Sequence, residues 1–220
     1  MRSRILATML AVLLAGASLP ARPAGMVPLG VVTQSSGEHF NASKVTPGAT
    51  VYDGDVLSTE AEGALQLRSG AALLYLPGQS GITVHGIPSG TQAQLRMGTV
   101  VFSTAKAGAM EVLADEAFIR PMIDGPTIAQ VTVVSPKELQ IAARRGALEF
   151  SYRGETQKIP EGGSYRIILE PPEPAAKPFP QRVPVKAGRE SRAFKITVIV
   201  ATGWITEWAV HEVLESPDRP

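Results

Sequence analysis

The stretch Tyr52-Asp-Gly-Asp-Val-Leu-Ser-Thr-Glu-Ala-Glu-Gly-Ala-Leu-Gln-Leu-Arg-Ser-Gly-Ala-Ala-Leu-Leu-Tyr-Leu76, which continues to Val84, decides the fold of this chain. It consists of short runs of alternating apolar and polar residues separated by turn sequences, a pattern typical of β-strands. The turn sequences combine glycine, which accepts a positive φ, with Asp, Ser or Pro. They are Asp53-Gly54-Asp55, Ser69-Gly70 and Pro77-Gly78. Because strands this short are unstable alone, we expect each to pair with neighbours on both sides.

The alternation within these runs predicts which side chains are buried. Leu65 and Leu67 are predicted on the core face of one strand, with Gln66 between them on the solvent face. Leu74 and Leu76 repeat the arrangement in the next strand. Each strand therefore has one apolar face, and the apolar faces must meet in a common core.

The rest of the body continues this order of short strands and turns. The predicted strands are Leu29–Thr33, Met110–Ala114, Ile128–Val134, Leu139–Ala143, Leu148–Tyr152 and Tyr165–Leu169, with two more inside Gln94–Ser103 on either side of Gly98. Pro121 is expected to bar a central strand at Phe118–Pro121, since proline donates no hydrogen bond. Arg144-Arg145-Gly146 is predicted to be a solvated turn. The fold class is therefore all-β, as a short-strand roll, solenoid or sandwich.

Composition excludes several function classes. The 220 residues include no Cys, which excludes disulfides and cysteine nucleophiles. The formal net charge is +1 and aromatic residues make up 5%, so neither a basic stripe nor a stacking surface for nucleic acid is expected. Nucleic acid is therefore not predicted as a partner.

The two ends of the chain differ from the body. Residues 1–24 have the form of a signal peptide: Arg2 and Arg4 precede the apolar run Ile5–Ala15, and small residues follow. We therefore expect export to the periplasm or cell envelope. A β domain is predicted over 27–169 and a Pro-rich linker over 170–193.

An apolar helix is predicted over 194–214, before a polar tail at 215–220. The run Ile196–Thr206 is mostly apolar, but Glu207 interrupts it, and a membrane span needs about 20 apolar residues. Three interpretations stay open for this segment: a membrane anchor, a helix that docks on the body or a partner, and an edge strand.

No chemical motif stands out. His39, His85 and His211 are too far apart for metal-ligand spacing. Asp53-Gly-Asp55 lacks the oxygen ligand and the glycine that a calcium loop needs at later positions, so we interpret it as a turn. Gly78-Gln-Ser-Gly81 lacks the final glycine of a nucleophile elbow. No catalytic residue, metal or cofactor is predicted.

A recurring order of turn and strand residues runs through the predicted β domain. Its members are Gly54, Asp55, Thr59, Gly63, Leu65, Leu67, Gly70, Leu74, Leu76, Gly98, Gly146 and Gly163. This order resembles the core pattern of FecR-like domains, in which a Gly-Asp turn leads to a Thr, an alternating strand, a Gly turn and a second alternating strand. The resemblance extends over roughly Leu29–Leu169.

The resemblance implies a β-rich domain of roll-like or solenoid-like form outside the cytoplasmic membrane. The namesake regulators relay an envelope signal to a sigma factor through an N-terminal cytoplasmic anti-sigma segment. Here a predicted signal peptide precedes the domain, so we expect an envelope β domain without that segment. No catalytic residue is carried over.

These observations favour a non-enzymatic protein with a binding, scaffold or signal-relay role at the bacterial envelope. The expected partner is another envelope protein or a surface polysaccharide, with possible membrane contact through 194–214. The alternative is a hydrolase or lyase that acts on envelope polysaccharide from a β-solenoid scaffold. Two carboxylates a few ångströms apart in a groove would favour that alternative.

Overall fold

The computed structural model describes residues 27–40, 43–169 and 194–198. The signal peptide predicted over 1–24, the linker over 170–193 and the tail over 215–220 lie outside the described residues, as do residues 199–214 of the predicted C-terminal helix. Those predictions therefore stay predictions.

The described chain is all-β, as predicted, with strands joined by tight turns and one short 3-10 turn at Ala107–Ala109. The strands are β1 Pro28–Phe40, β2 Ser43–Lys44, β3 Thr50–Tyr52, β4 Val56–Ser69, β5 Ala72–Leu76, β6 Gly81–Ile87, β7 Gly90–Thr104, β8 Met110–Ala114, β9 Ala117–Pro121, β10 Thr127–Ser135, β11 Glu138–Arg145, β12 Leu148–Tyr152, β13 Glu155–Ile159, β14 Ser164–Ile168 and β15 Lys195–Val198. Neighbouring strands are antiparallel, except that β7 and β8 are parallel.

Three long strands connect two halves of one sheet. The first part of β4 pairs with β6 and its second part with β5. β7 likewise pairs with β6 and β8 before Gly98, and with β5 and β10 after it. β1 runs beside both parts of β4. One half continues outward through β9, β12 and β13, and the other through β11, β14 and β15.

Both halves contribute to the same buried cluster, so they pack face to face as two layers. We call the half that contains β6, β8, β9, β12 and β13 the first layer, and the half that contains β5, β10, β11, β14 and β15 the second layer. The core contains, for example, Leu95 and Val112 from the first layer. It also contains Leu74 and Ile141 from the second layer. Burying these apolar faces against each other supplies the main driving force for folding.

Glycines lie where the sheet bends from one layer to the other. A Cβ on Gly63 would overlap the carbonyl oxygen of Gly37 on β1, and a Cβ on Gly78 would overlap that of Ala61 on β4. A Cβ on Gly98 would overlap the carbonyl oxygen of Gln79, and Gly98 has a φ of 75°. Backbones approach this closely only where no side chain intervenes. We call Gly37, Gly63, Gly78 and Gly98 the glycine bend.

The Thr59 side chain ties the strands together at the same bend. Its Oγ1 donates to the carbonyl of Pro77 at 2.6 Å and accepts from the backbone N–H of Ser80 at 3.0 Å. The hydroxyl of Ser80 in turn accepts from the N–H of Thr99, just after Gly98, at 3.0 Å. These buried hydroxyls satisfy backbone groups of the turn between β5 and β6 and the N–H of Thr99 on β7.

The opening stretch folds as its pattern predicts, with one difference. Leu65, Leu67, Leu74 and Leu76 are fully buried. Gln66 faces away from them but is itself only 6% exposed, and its Oε1 accepts a hydrogen bond from Thr33 Oγ1 at 2.7 Å. The prediction that Gln66 faces solvent is therefore wrong, because a neighbouring strand covers it.

Other boundaries differ from the sequence-based expectations. Gly98 does not separate two strands but bends one, β7. β9 pairs on both sides, and Pro121 stands only at its last paired position, opposite Leu148. Arg144 and Arg145 close β11 rather than forming a turn. β13 was not predicted, because its sequence Glu-Thr-Gln-Lys-Ile lacks an apolar alternation.

The core continues beyond the domain end predicted at residue 169. Phe194 is 5% exposed, and its ring meets that of Phe150 edge-on at a centroid distance of 4.9 Å. It also lies 6.5 Å from the ring of Tyr152. Phe194 therefore packs on β12 of the first layer, while β15, which begins at the next residue, belongs to the second layer. The helix predicted over 194–214 does not begin at 194, since Lys195–Val198 form an edge strand paired with β14.

Candidate functional site: an arginine row on the second layer

A row of side chains crosses the outer face of the second layer, with an arginine at each end. The register of four strand pairs places Arg68 opposite Leu73, Leu73 opposite Ser103, Ser103 opposite Ile128, and Ile128 opposite Arg145. Residues opposite each other in register point to the same face of a sheet. We call these five residues the arginine row.

The arginine row forms the floor of an open groove of about 630 Å³. The β4–β5 turn at Gly70 and Ala71 borders one part, and Ala105 and Pro126 border another. Among the described residues that line this groove, none carries a carboxylate. The groove therefore combines an apolar and hydroxyl-bearing floor with a positively charged side chain at either end.

Strand geometry fixes the spacing of the two arginines. Arg68 and Arg145 are four strand positions apart, and adjacent strands lie about 4.8 Å apart, so their Cα atoms are separated by roughly 19 Å. Both residues are exposed. A guanidinium group is always charged and offers a planar fork of donors that matches a carboxylate or phosphate.

A small apolar cluster lies beside the arginine row. Tyr75 packs against Val101 and Ile128, outside the main core. Burial raises the pKa of the Tyr75 phenol, so this side chain is neutral and can donate a hydrogen bond at neutral pH. The face therefore offers charge at its ends and an aromatic surface at its centre.

A second groove, of about 490 Å³, lies on the far side of the glycine bend. Met97, 57% exposed, and Val134 form apolar parts of its lining, and Asp115 is its one acidic lining residue among the described residues. The described residues that line the two grooves do not include the pair of carboxylates that glycoside hydrolysis uses. The hydrolase alternative thus has no supporting geometry in these two grooves.

The residues of the FecR-like pattern occupy turns, the bend and the core. Thr59, Gly63 and Gly98 lie at the bend described above. Gly146 has a φ of 73°, and a Cβ there would lie 2.6 Å from Thr127 Oγ1. The leucines are core residues, and Gly70, with a φ of 55°, turns the chain beside the groove. A Cβ on Gly163 would overlap the ring of Tyr165. These positions build the scaffold, and of them only Gly70 lines the groove with the arginine row.

The acidic residues considered for calcium hold a turn together. Asp55 Oδ2 accepts from the N–H of Tyr52 at 2.6 Å, and Asp53 Oδ1 accepts from the N–H of Gly86 at 2.9 Å. The His85 ring lies 3.5 Å from Asp53. Among the residues that the structure describes, no three His, Asp or Glu side chains converge as metal ligands.

Other arginines, on both layers, pair with neighbouring glutamates. Arg120 on β9 pairs with Glu149 on β12, and Arg153 pairs with Glu116 at 2.9 Å. On the second layer, the Arg166 guanidinium on β14 donates a hydrogen bond to Glu138 on β11, and this bond raises the pKa of Arg166. Exposed ion pairs of this kind contribute little to stability, because water screens the charges. Acidic neighbours thus accompany these three arginines, and none of the described residues that line the groove of the arginine row is acidic.

The arginine row was not predicted from the sequence. Arg145 was interpreted as part of a solvated turn, and Arg68 was not singled out. No local pattern could have revealed the row, since its members come from β4, β5, β7, β10 and β11 and meet only through the register of the sheet.

No helix long and apolar enough to cross a membrane occurs within 27–40, 43–169 and 194–198. Comparison with protein-family models and with curated proteins finds no match.

Among solved structures, the chain is similar to two crystal structures of a candidate anti-sigma factor from Parabacteroides distasonis ATCC 8503. The sequence identities are 10% and 9%, and the TM-scores are 0.44 and 0.43. Each match covers 51% of this chain and 54% of the other, so the chain spans about half the length of these proteins. A likeness of this extent carries no information about what this chain binds.

Proposed function

We propose that this chain is an exported, non-enzymatic FecR-like domain protein that binds an acidic segment of another envelope protein across the arginine row. The binding serves a scaffold or signal-relay role at the bacterial envelope. The observation that carries the proposal is the arginine row itself, with Arg68 and Arg145 at the two ends of a groove in which none of the described lining residues is acidic.

The spacing of the row favours an extended partner. An extended peptide advances about 3.3 Å per residue, so about six residues span the roughly 19 Å between the two arginine Cα atoms. Acidic residues near both ends of such a segment would each meet a guanidinium fork. Because arginine side chains are long and flexible, the two acidic residues of the partner can also be several residues closer together than this.

The floor of the groove favours protein over polysaccharide. Leu73 offers apolar contact between the charges, and Tyr75 lies nearby, packed on the buried Ile128. An apolar or aromatic residue at the middle of an acidic segment would bury surface there. A uronic-acid polymer would satisfy the arginines but would leave this apolar floor in contact with sugar hydroxyls.

Export is supported by the form of residues 1–24 and by the FecR-like order of residues, whose family lies outside the cytoplasmic membrane. In this chain the pattern residues hold the bend and the turns that place the five strands of the arginine row in register. The scaffold and the binding face are therefore linked, although only the binding face would contact the partner.

The binding proposal is tested with labelled polyglutamate as the probe. The double variant R68Q/R145Q is expected to bind it at least ten-fold more weakly than the wild-type chain, by fluorescence anisotropy at 0.05 M salt. The matched control is R120Q/R153Q, which removes the same charge from two arginines of the first layer, outside the groove, and its Kd is expected to change less than two-fold.

Equal weakening in both double variants would contradict the proposal, because net charge alone would then govern binding. Polygalacturonate serves as a second probe. If it binds the row more tightly than polyglutamate, the partner class is a polysaccharide and the proposed protein partner is wrong.

A further inference from the structure

The last described strand, β15, runs toward the groove of the arginine row. β15 is antiparallel to β14, and β14 is antiparallel to β11, so β15 runs in the same direction as β11. β11 ends at Arg145, which is one end of the arginine row. The chain therefore leaves Val198 toward the end of the second layer at which Arg145 lies.

The sequence that follows β15 carries the charge opposite to that of the groove. The described lining of the groove contains Arg68 and Arg145 and no acidic residue. Residues 199–220 contain one arginine, Arg219, and the acidic residues Glu207, Glu212, Glu215 and Asp218. The groove and this part of the sequence are therefore complementary in charge.

Within this sequence, residues 207–212 match the groove in spacing as well. They read Glu-Trp-Ala-Val-His-Glu, with a glutamate at each end and mostly apolar residues between, and we call them the acidic segment. When such a segment is extended at about 3.3 Å per residue, its two glutamate Cα atoms are about 17 Å apart. This length is close to the roughly 19 Å between the Cα atoms of Arg68 and Arg145, and long arginine side chains cover the difference.

The acidic segment is also within reach of the groove on the same molecule. Val198 is opposite Tyr165, and Tyr165 is opposite Ile141, so β15 lies two strand spacings of about 4.8 Å from β11. Arg145 lies four residues beyond Ile141, at most about 13 Å along the strand. The Cα atoms of Val198 and Arg145 are thus roughly 16 Å apart. The chain from 198 to 207 spans up to about 30 Å.

We infer that the acidic segment of the same chain lies across the arginine row, with Glu207 at Arg145 and Glu212 at Arg68, and that an envelope partner binds by displacing it. The inference rests on the proposed function, because it keeps the same groove as the binding site and adds an internal competitor. A short tether gives the acidic segment a high effective concentration at the groove. The arginine row is then a regulated site, open only to partners that compete with this segment.

Tryptophan fluorescence of the full-length chain tests the inference, because its two tryptophans are Trp208, inside the acidic segment, and Trp204 just before it. A segment that lies in the groove shields Trp208 from acrylamide. R68Q/R145Q is expected to raise the acrylamide quenching constant about two-fold, and the control R120Q/R153Q to leave it unchanged. Equal quenching in the wild-type chain and R68Q/R145Q would overturn the inference.

The same measurement over a range of protein concentrations identifies the molecule that supplies the segment. Within one chain, the shielding of Trp208 is independent of concentration. Shielding that appears only as the concentration rises would assign the groove to the acidic segment of a second copy, and the inference would be wrong.

Polyglutamate binding separates failure of this inference from failure of the proposed function. E207Q/E212Q is expected to bind polyglutamate about five-fold more tightly than the wild-type chain, because the competitor has lost its charge. The matched control is E62Q/E155Q, which removes the same charge from described residues outside the groove, and its Kd is expected to change less than two-fold.

Two results would contradict the account in different ways. If E207Q/E212Q binds polyglutamate no more tightly than E62Q/E155Q, while R68Q/R145Q still weakens binding, the internal competitor is wrong and the proposed function stands. If R68Q/R145Q does not weaken binding even when combined with E207Q/E212Q, the groove is not the binding site, and the proposed function and this inference are both overturned.

Discussion

Replacement of Phe194 by alanine is expected to lower the free energy of unfolding by about 3 kcal/mol, since truncating a buried phenylalanine typically costs about 3–5 kcal/mol. Phe194 is 5% exposed and closes the core against Phe150 and Tyr152. The alanine variant leaves a cavity between the two layers and loses the edge-on ring contact, which adds about 0.5–1.5 kcal/mol in comparable pairs. Urea unfolding of the full-length chain measures the change.

Phe118 provides the matched control. It is also an aromatic residue on a strand, but it is 40% exposed and lies on the outer face of β9. Phe118→Ala is expected to cost clearly less than Phe194→Ala, about 1 kcal/mol, because 40% of its surface stays in contact with water and its truncation leaves no cavity in the core. If both variants had the same unfolding midpoint, Phe194 would not belong to the core, and the core would end near residue 169.

Gly98→Ala is expected to lower the free energy of unfolding by about 3 kcal/mol or more. Gly98 has a φ of 75°, and a left-handed conformation costs an L-residue about 1–2 kcal/mol. The new Cβ would overlap the carbonyl oxygen of Gln79 and lie 2.6 Å from Ser80 Cα. Since both neighbours are backbone atoms, the bend must open, at a further cost of about 1–3 kcal/mol.

Gly154→Ala separates the two contributions. Gly154 has a φ of 81°, similar to that of Gly98, but an added Cβ there meets nothing within 4 Å. Its alanine variant is expected to cost only the conformational part, about 1–2 kcal/mol. Thermal unfolding of both variants measures the difference. Equal losses would show that the close approach of β7 to the turn before β6 contributes no stability, contrary to the role assigned to the glycine bend.

The sequence contained the local part of this fold. Alternation placed Leu65, Leu67, Leu74 and Leu76 in the core correctly, because side-chain direction in a strand has a period of two. Turn residues such as Gly54 and Gly154 marked chain reversals, since their φ is positive and few other residues adopt it. These features depend only on neighbouring residues.

Features that depend on distant pairing were not predictable. A glycine with positive φ can end a strand or bend it, and only the partners of β7 show that Gly98 does the latter. Gln66 is buried because β1 lies beside it. Thr33 on β1, 33 residues earlier in the chain, donates a hydrogen bond to its side chain. The apolar sequence around residues 195–198 does not distinguish a strand from a helix. Pairing with β14 shows that Lys195–Val198 form a strand.

The arginine row also depends on pairing between strands that are distant in the sequence. Each of its residues looks ordinary in its own segment: Arg68 ends an alternating run, and Arg145 follows another arginine. Their common face arises from the registers of four consecutive strand pairs. A shift of one residue in any of these pairs would send one arginine to the core side. The charge pattern of the groove is thus a property of the topology.

Site-specific photo-cross-linking in the living bacterium tests the binding claim most directly. A photoreactive phenylalanine analogue at Ser103, at the centre of the arginine row, is compared with the same analogue at Ser151 on the first layer. The account predicts one discrete adduct with an envelope protein from position 103, retained in R120Q/R153Q and lost in R68Q/R145Q. An adduct that persists in R68Q/R145Q, an adduct with a cytoplasmic protein, or no adduct at position 103 would contradict it.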